Sequence, residues 1–338
     1  MHSLTKFWII FSLLLIVFPH AADARTSIDE KPHQDHMFIE QEKSWMTKLI
    51  ENGMKNSNMK EGSILGDFIN NLTLTTQARP PQTMFLTFQV SVEELFGHNI
   101  WDITPRGEIS DKVVIYLHGG SYKYNFLPPH WNFISVIADE LRVRVIAPDY
   151  PLAPAYTAPD VFAFLLNIYS ELIKKTDPKD ITIMGDSAGG GMTLALAQFI
   201  RETGFPQPEQ LILLSPCIDV TMSNPGIIKL DLVDPMLNID SIKAAGKAYA
   251  GQLSTKHYLV SPIYGKITGL APISLYVGTH DLLAADCRKL YKMAKKKNIA
   301  FDFYEYEGLF HVGMLFPTPE AEDIRETIIE NVKEGSQP

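Results

Sequence analysis

The chain has 338 residues, of which 46% are hydrophobic and 20% charged, so it can bury a large core and is not dominated by disorder. Its formal net charge of −9 and its pI near 5.6 argue against a nucleic-acid or anionic-membrane partner, since both require clustered Lys and Arg. The one basic run, Lys295, Lys296 and Lys297, is interpreted as the solvated end of a helix.

The first 24 residues have the composition of a signal peptide. Lys6 precedes an apolar run over residues 7–18, and Ala22-Asp23-Ala24 follows as a small-x-small cleavage pattern. The apolar run is shorter than the roughly 20 residues that a membrane-spanning helix needs. We therefore expect cleavage near Ala24 and export, to the periplasm or outside the cell, without stable membrane insertion of the mature chain. An uncleaved membrane anchor is the alternative.

The next segment has a mixed pattern. Over residues 34–71, apolar side chains recur at three- and four-residue spacing, broken near Gly53 and Gly62, which predicts one or two amphipathic helices. Arg79-Pro80-Pro81 closes this segment. The alternating run over residues 84–92 that follows predicts a strand.

From Lys112 onward, short apolar runs alternate with longer helical ones, which is typical of an α/β fold with β-α-β units around a buried, mostly parallel sheet. The predicted strands cover residues 113–117, 143–147, 181–184, 211–214, 273–277 and 301–306. The predicted helices cover residues 160–175, 188–202, 284–297 and 319–333. The alternation is interrupted at residues 219–258 by a helical and loop-rich insertion, whose size is typical of a lid or a second layer.

The most specific motif is Gly185-Asp186-Ser187-Ala188-Gly189-Gly190, between a predicted strand and a predicted helix. A Gly-x-Ser-x-Gly run in that position makes a sharp turn in which the serine takes a strained backbone conformation and the small neighbours avoid collisions. The turn presents the Ser187 hydroxyl at a helix N-terminus, where partial positive charge favours developing negative charge. Ser187 is the candidate nucleophile.

A second glycine motif, His118-Gly119-Gly120, follows the predicted strand 113–117. Successive glycines let the backbone approach a substrate and direct N–H groups at a tetrahedral oxyanion. Gly119, Gly120 and Ala188 are the candidate oxyanion donors. We expect His118 to hold this loop by hydrogen bonding rather than to transfer protons.

A serine nucleophile needs a base within hydrogen-bond reach and a carboxylate to orient that base. His311 and Asp281 each follow a predicted strand at the same sheet edge as Ser187, and the order serine, acid, histidine is that of the nucleophile-elbow enzymes. Asp286 is the rival acid, within the following helix, and His280 is discounted because it neighbours Asp281. The histidines of flanking or loop regions are expected at the surface; these are His33, His36, His98, His130 and His257.

The chain has only two cysteines, Cys217 and Cys287, which give no disulfide framework. We expect two free buried thiols, with a single disulfide as the alternative. No CxxC or His/Cys cluster suggests a metal site.

These motifs, in this order, resemble those of the hormone-sensitive-lipase-like branch of the α/β-hydrolase family. Besides the motifs quoted above, the matching residues are Asp149-Tyr150-Pro151-Leu152-Ala153-Pro154, Ser215-Pro216, Asp234-Pro235 and Glu307-Gly308-Leu309-Phe310-His311. The resemblance implies ester hydrolysis without a cofactor. It also implies a cap over the site, formed by the N-terminal segment (residues 25–80) and the insertion at residues 219–258 of a catalytic domain that covers residues 81–338.

Three departures from the family pattern put substrate preference in doubt. Ser121 stands where many members carry a third glycine, Ala155 replaces a frequent acidic residue, and Gly191 replaces a frequent Asn. The predicted function is hydrolysis of small-molecule esters with short to medium acyl chains through an acyl-enzyme. The cap is expected to supply an apolar acyl pocket, and its candidate residues are Trp45, Phe68 and Met236.

Other functions remain open at this stage. The same triad could cleave an amide, a thioester or a lactone, and a hydrolase fold without catalysis could bind a ligand. The sequence does not indicate an oligomeric state.

Overall fold

The computed structural model describes residues 36–56, 60 and 78–334. The predicted signal peptide lies outside these residues. Nine strands within the described residues form one sheet, in the order β1-β9-β8-β7-β6-β4-β5-β3-β2. The strands are β1 (His36–Ile39), β2 (Phe88–Leu95), β3 (His98–Pro105), β4 (Val113–Leu117), β5 (Arg144–Pro148), β6 (Ile181–Asp186), β7 (Gln210–Leu214), β8 (Ile273–His280) and β9 (Phe301–Phe310).

The sheet is parallel from β1 to β5, and the β5–β3 and β3–β2 pairs at the other edge are antiparallel. The predicted mostly parallel sheet is thereby confirmed, and each of the six predicted parallel strands is present. All five residues of β4 are buried, because both faces of the sheet are covered.

Helices cover both faces of this sheet. Their bounds are α1 (Trp45–Asn56), α2 (Gln82–Thr87), α3 (Pro128–Leu141), α4 (Ala158–Leu172), α5 (Ser187–Glu202), α6 (Ile227–Asp231), α7 (Ile239–Ala250), α8 (Ala284–Lys296) and α9 (Pro319–Glu334). Helices α4, α5 and α8 pack on one face of the sheet, in an apolar core with Val113, Ile115 and Leu117 of β4. Helices α3 and α9 pack on the opposite face, in a second core with Val114 and Tyr116. Among the helices of the described chain, none is both long and apolar enough to cross a membrane.

Two predicted elements near the N-terminus are corrected by the structure. Residues 36–39, expected to be helical and part of the cap, form β1 and pair in parallel with β9. A run of four residues is too short to distinguish the two-residue period of a strand from the 3.6-residue period of a helix. Pairing with β9 at the edge of the sheet makes this segment a strand. The helical pattern holds only from Trp45, where α1 begins.

The strand predicted over residues 84–92 begins only at Phe88, because residues 82–87 form α2. Met84 and Phe88, both buried, are four residues apart, so their spacing fits a helical turn as well as a strand. Helix α3 was not predicted, although Pro128 at its first position and apolar residues at three- and four-residue spacing mark it.

The insertion at residues 219–258 contains the helices α6 and α7, as expected of a helical insertion. Lys60 contacts it, since its Nζ lies 3.1 Å from Asp231 Oδ1 and its carbonyl accepts a hydrogen bond from Asn238 Nδ2. This residue of the N-terminal segment therefore lies against the insertion.

Candidate active site

The nucleophile elbow, residues 185–190, joins β6 directly to α5. Ser187 has φ +52°, the strained left-handed conformation that the motif predicted. A Cβ at Gly189 would overlap the backbone carbonyl of Leu117, and one at Gly185 would lie 2.5 Å from the Gly189 carbonyl oxygen. Only glycine fits these two positions, and its absence of a side chain lets β4, β6 and α5 approach closely enough to expose the Ser187 hydroxyl.

Ser187, His311 and Asp281 form a hydrogen-bonded chain. His311 Nε2 lies 2.9 Å from Ser187 Oγ, and His311 Nδ1 lies 2.9 Å from Asp281 Oδ2. A carboxylate only accepts, so Nδ1 carries the hydrogen and Nε2 is left to accept the serine O–H. His311 and Asp281 are both buried. The structure thus brings together the three side chains that the sequence selected from separate loops.

The electrostatics of this chain favour a basic imidazole. Burial of His311 acts to lower its pKa, but the charge and hydrogen bond of Asp281 outweigh burial, and the net pKa is raised above the ordinary value. Asp234 and Asp186 add to the effect at longer range. The protonated imidazole is therefore stabilised at the point where a proton arrives from Ser187.

Asp234 braces the loop that carries the acid. Its Oδ2 accepts the Leu282 N–H at 2.7 Å, and its Oδ1 accepts the N–H groups of Met236 and Leu237 at 2.7 and 2.8 Å. Burial and the nearby Asp281 raise the pKa of Asp234 to about 6. The Asp234-Pro235 pair was noted in the sequence without a role; the structure shows that it ties the insertion to the acid loop.

The loop that carries the base is held from β7. Ser215, the residue after that strand, accepts the Val312 N–H through its Oγ at 3.1 Å. Val312 follows His311 and has φ +49°, so the hydrogen bond fixes a strained turn directly beside the imidazole.

The oxyanion loop, residues 118–124, corrects one predicted donor. The Gly119 N–H donates to Asp186 Oδ1 at 3.0 Å, so it is directed at a buried carboxylate rather than at a substrate. Gly120 follows with φ +112° and Ser121 with φ +53°. Within the described part of the chain, no hydrogen bond uses the N–H of Gly120 or Ser121. The Ala188 N–H lies in the first turn of α5, where helical N–H groups have no intrahelical acceptor.

Three N–H groups, those of Gly120, Ser121 and Ala188, thus remain as candidate oxyanion donors. Gly120 and Ala188 were predicted, whereas Ser121 was noted only as a departure from a third glycine. Its position directly after His118-Gly119-Gly120, where many members of the family carry a third glycine, was the signal that could have identified it.

His118 holds the base of the oxyanion loop, as expected from the sequence. Its Nδ1 lies 2.6 Å from the Gly119 carbonyl, and its own carbonyl accepts the Tyr150 hydroxyl at 2.6 Å. The imidazole lies against the rings of Tyr150 and Phe126, with ring centroids 4.2 Å apart in both cases. Burial, together with the nearby His130, lowers the pKa of His118 to about 3. His118 is therefore a neutral structural group.

A pocket with about 270 Å³ of empty volume opens beside Ser187. Its lining combines the oxyanion loop with the insertion and comprises Ser121, Tyr122, Ser187, Ala188, Cys217, Leu237, Ile242, Ala245 and Leu283. Tyr122 stacks on Tyr249 of α7 with ring centroids 4.1 Å apart, which joins the loop to the insertion.

Of the three residues predicted to line an acyl pocket, Trp45 and Met236 do not line the pocket beside Ser187. Trp45 is 71% exposed at the start of α1. Phe68, the second candidate, lies outside the described residues. Leu237, the residue after Met236, lines this pocket instead.

The rival residues are engaged elsewhere. Asp286, 1% exposed, accepts a hydrogen bond from Asn224 Nδ2 at 2.9 Å, and His280 Nδ1 lies 3.1 Å from Lys43 Nζ. His130, expected at the surface, is instead buried, with Nε2 3.5 Å from Asp186 Oδ2. It is the third residue of α3, a helix that was not predicted.

Both cysteines are free and buried, as expected. The basic run ends α8 with its side chains exposed. Among the described residues, histidine, cysteine and acidic side chains form no group of three or more that could hold a metal ion.

The chain is similar in sequence and in structure to known esterases. A family model described as an alpha/beta hydrolase fold matches residues 114–315. An esterase of Acinetobacter venetianus is 28% identical over 223 residues, which are 65% of this chain and 74% of that protein. An acetyl-hydrolase of Streptomyces hygroscopicus is 29% identical over 202 residues, which are 60% of this chain and 68% of that protein. A crystal structure of an esterase from the bacterial hormone-sensitive lipase family is similar with a TM-score of 0.77 and 25% identity, over 88% of this chain and 100% of that one.

Proposed function

Because the chain belongs to the α/β-hydrolase fold family, we propose that it is a serine carboxylesterase that hydrolyses short- to medium-chain esters through an acyl-enzyme. Its resemblance to the hormone-sensitive-lipase-like branch is confirmed by the similar proteins, and it is a carboxylic ester hydrolase. The observation that carries the serine mechanism is the hydrogen-bonded chain from Ser187 through His311 to Asp281.

In the acylation step, Ser187 Oγ attacks the ester carbonyl carbon while His311 Nε2 takes the hydroxyl proton. Asp281 holds the imidazole by its Nδ1–H and stabilises the positive charge that develops there. The carbonyl oxygen becomes an oxyanion, which the N–H groups of Gly120, Ser121 and Ala188 stabilise. The tetrahedral intermediate then collapses, the protonated His311 gives its proton to the departing alkoxide, and the acyl group stays on Ser187.

Deacylation repeats these roles with water. His311 takes a proton from a water molecule as its oxygen attacks the acyl carbon. A second tetrahedral intermediate forms at the same donors and collapses to the carboxylic acid, and His311 returns the proton to Ser187. The acid then ionises, so each turnover consumes one water and yields an alcohol and a carboxylate.

The preference for short to medium acyl chains is supported by the pocket beside Ser187. Its empty volume of about 270 Å³ includes space that is open to solvent, so the enclosed part is smaller and favours a short acyl chain over a long one. The insertion closes it with the apolar side chains of Leu237, Ile242 and Ala245, and Leu283 of the acid loop lines it as well. These groups suit an apolar acyl chain of a few carbons.

The first test is hydrolysis of a p-nitrophenyl ester series from acetate to laurate by the wild type and by Ser187→Ala. Loss of the nucleophile should lower kcat by about 10⁴- to 10⁶-fold. Ser170→Ala is the matched control, because the Ser170 hydroxyl lies on α4 and donates a hydrogen bond to the Asn167 carbonyl of the same helix, away from the triad. Equal rates for wild type and Ser187→Ala would remove the serine mechanism.

The same purified protein separates the other leaving groups. Matched amide, thioester and lactone substrates should give lower kcat/KM than the esters. A higher kcat/KM on any of these, lost in Ser187→Ala, would reassign the substrate class and keep the triad. Binding without turnover of any substrate would instead support a ligand-binding role.

We also propose that the chain is exported after cleavage behind Ala24. The support is the sequence pattern of Lys6, the apolar run at residues 7–18 and Ala22-Asp23-Ala24. Expression of the full chain in a host with a general secretion pathway should give an exported protein whose N-terminal sequence begins at Arg25. An N-terminus at Met1 in a membrane fraction would support an uncleaved anchor instead.

A further inference from the structure

Asp186, the residue before the nucleophile, is a buried carboxylate at the centre of the site that does not contact the triad histidine. Its Oδ1 accepts the Tyr116 hydroxyl at 2.7 Å and the Gly119 N–H at 3.0 Å. Its Oδ2 lies 3.5 Å from His130 Nε2. The carboxylate therefore connects the elbow, the oxyanion loop and α3.

The orientation of His130 is fixed from its other side. Its Nδ1 accepts the Leu127 N–H at 2.9 Å, so in the neutral ring the hydrogen must be on Nε2, the nitrogen that faces Asp186. The side chain is 5% exposed. His130 thus has two separable contacts: its Nδ1 caps the N-terminus of α3, and its Nε2–H faces the Asp186 carboxylate at 3.5 Å.

The hydrogen bond from the Gly119 N–H to Asp186 connects this arrangement to the nucleophile and to the oxyanion donors. A Cβ at Gly119 would lie 2.9 Å from Ser187 Cβ, so this stretch of the oxyanion loop lies directly against the nucleophile. The next two residues, Gly120 and Ser121, carry candidate oxyanion donors. Any shift of Asp186 Oδ1 moves the Gly119 amide, and with it the donors relative to Ser187.

We propose that His130 is a positioning residue for the oxyanion hole: by holding the Asp186 carboxylate, it fixes the Gly119 N–H and so the placement of the Gly120 and Ser121 donors against Ser187. This inference rests on the proposed serine esterase function. It assigns to the helix after the oxyanion loop a part in transition-state stabilisation, without contact to the substrate.

The charge state of Asp186 agrees with this role. Burial alone would raise the pKa of this carboxyl, but His130 and the Tyr116 hydroxyl outweigh burial and hold the pKa below its ordinary value. An ionised carboxylate accepts through both oxygens, whereas a protonated one has to donate from one of them. Without the His130 contact, a buried carboxylate is partly uncompensated, and it either takes up a proton or moves toward water.

Two substitutions at His130 separate its contacts. In His130→Asn, the side-chain oxygen takes the place of Nδ1 and still accepts the Leu127 N–H, but nothing reaches Asp186. In His130→Gln, the longer side chain places an amide N–H near the position of Nε2 and restores the donor to Asp186. We expect kcat to fall about 10- to 100-fold in His130→Asn, since small misplacements cost this much, with KM changed less than about threefold. His130→Gln should recover most of the lost kcat.

A transition-state analogue gives a readout that general loosening of the fold does not move. An alkyl trifluoromethyl ketone adds to Ser187 and places an oxyanion in the hole, so its Ki should rise by the same factor as kcat/KM falls across wild type, His130→Gln and His130→Asn. Binding of the matching unreactive alcohol should be equal in all three. His98→Asn is the matched control. His98 is a half-buried histidine at the start of β3, near the antiparallel edge of the sheet, and its ring contacts Tyr156 and Phe164.

The possible outcomes can be told apart. If the wild-type protein hydrolyses no ester, the proposed esterase function itself is rejected. An active wild type with unchanged kcat and Ki in a folded His130→Asn overturns the positioning role, as does a His130→Gln no better than His130→Asn. If His130→Asn does not fold, Tyr116→Phe carries the test: it removes only the hydroxyl on the other side of Asp186. A few-fold loss of kcat with a matching rise in Ki supports the proposal, and wild-type values for both reject it.

Discussion

Two turns face each other across the candidate active site, and they are held in different ways. The nucleophile elbow is fixed by backbone against backbone: side chains at Gly185 and Gly189 would collide with the carbonyls of Gly189 and Leu117. The oxyanion loop has backbone hydrogen bonds to the carbonyls of Gly120 and Tyr122. In addition it is fixed by side chains that reach it from other elements, through Asp186 at Gly119, Tyr150 at His118 and the stacking of Tyr249 on Tyr122.

This difference separates two demands of catalysis. The nucleophile must be at one place, and close backbone packing allows only one arrangement. The oxyanion donors must match the shape of a transition state, and side-chain contacts can adjust a loop by fractions of an ångström without changing the fold. The elbow is therefore expected to respond to substitution through stability, and the oxyanion loop through kcat.

The largest effect that would test this comparison is Gly189→Ala in the elbow. The added methyl group would overlap the Leu117 carbonyl, and neither backbone can retreat without separating β4 from α5, so we expect destabilisation of about 3 kcal/mol or more. Thermal unfolding and soluble yield measure it. Gly53→Ala is the control, because nothing lies within 4 Å of that Cβ in α1, and alanine there should stabilise the helix by about 0.5 to 1 kcal/mol. A normal melting temperature for Gly189→Ala would contradict the steric account.

In the oxyanion loop, Gly119→Ala should act on rate instead. Its methyl group would meet the Asp186 carboxylate and Ser187 Cβ, and the loop can move away from both. We expect the protein to fold and kcat to fall about 10²- to 10³-fold with KM little changed, because the displaced loop takes the Gly120 and Ser121 donors out of position, which costs as much as losing one donor. Steady-state kinetics with p-nitrophenyl butyrate and a melting curve measure the two responses together. If this variant loses stability as Gly189→Ala does while the folded fraction keeps wild-type kcat, the two turns do not differ as described.

The elbow and the triad could be predicted because their determinants are local. A glycine-rich turn follows a strand by adjacency in the sequence, and parallel strands bring their carboxyl ends to one edge, so His311 and Asp281 could be selected by position alone. The same logic gave the six parallel strands. It did not give β1, whose four residues have their partner in β9, more than 260 positions later in the chain.

The contacts of the oxyanion loop could not be predicted from local sequence in this way. Gly119 was predicted as a donor, but its N–H pairs with a carboxylate 67 residues away. His130 was expected at the surface because helix α3 was not predicted, and its burial beside Asp186 depends on how α3 packs against the sheet. Contacts of this kind are set by tertiary packing, for which the local spacing of residues contains no signal.

A smaller effect is expected from Asp234→Asn, which should change the pKa of the base, His311, without altering either turn. The Asp234 charge raises the pKa of His311, and the reaction needs the neutral imidazole. Removing that charge should lower the pKa of His311, so the acid limb of the kcat/KM profile should move to lower pH. The loss of a hydrogen bond to the Leu282 N–H should also cost about 1 to 3 kcal/mol of stability. A pH profile from 5 to 9, normalised to the folded fraction, measures the shift. An acid limb that moves to higher pH would contradict the assignment of His311 as the base.

The smallest expected effect, Ser121→Gly, asks how stiff the oxyanion loop needs to be. Ser121 has φ +53°, a conformation that costs a residue with a Cβ about 1 to 2 kcal/mol and glycine nothing. Glycine in turn adds about 0.5 to 1 kcal/mol of backbone entropy to the unfolded chain, so the two effects nearly cancel. We expect the free energy of unfolding to change by less than about 1 kcal/mol. The N–H of residue 121 remains, so kcat/KM should fall less than about fivefold, in contrast with the loss expected when a donor is removed. Denaturant unfolding and kinetics on the same preparation decide it. A loss as large as that of Gly119→Ala would mean that backbone strain at Ser121, and not the contacts to Asp186, places the donors.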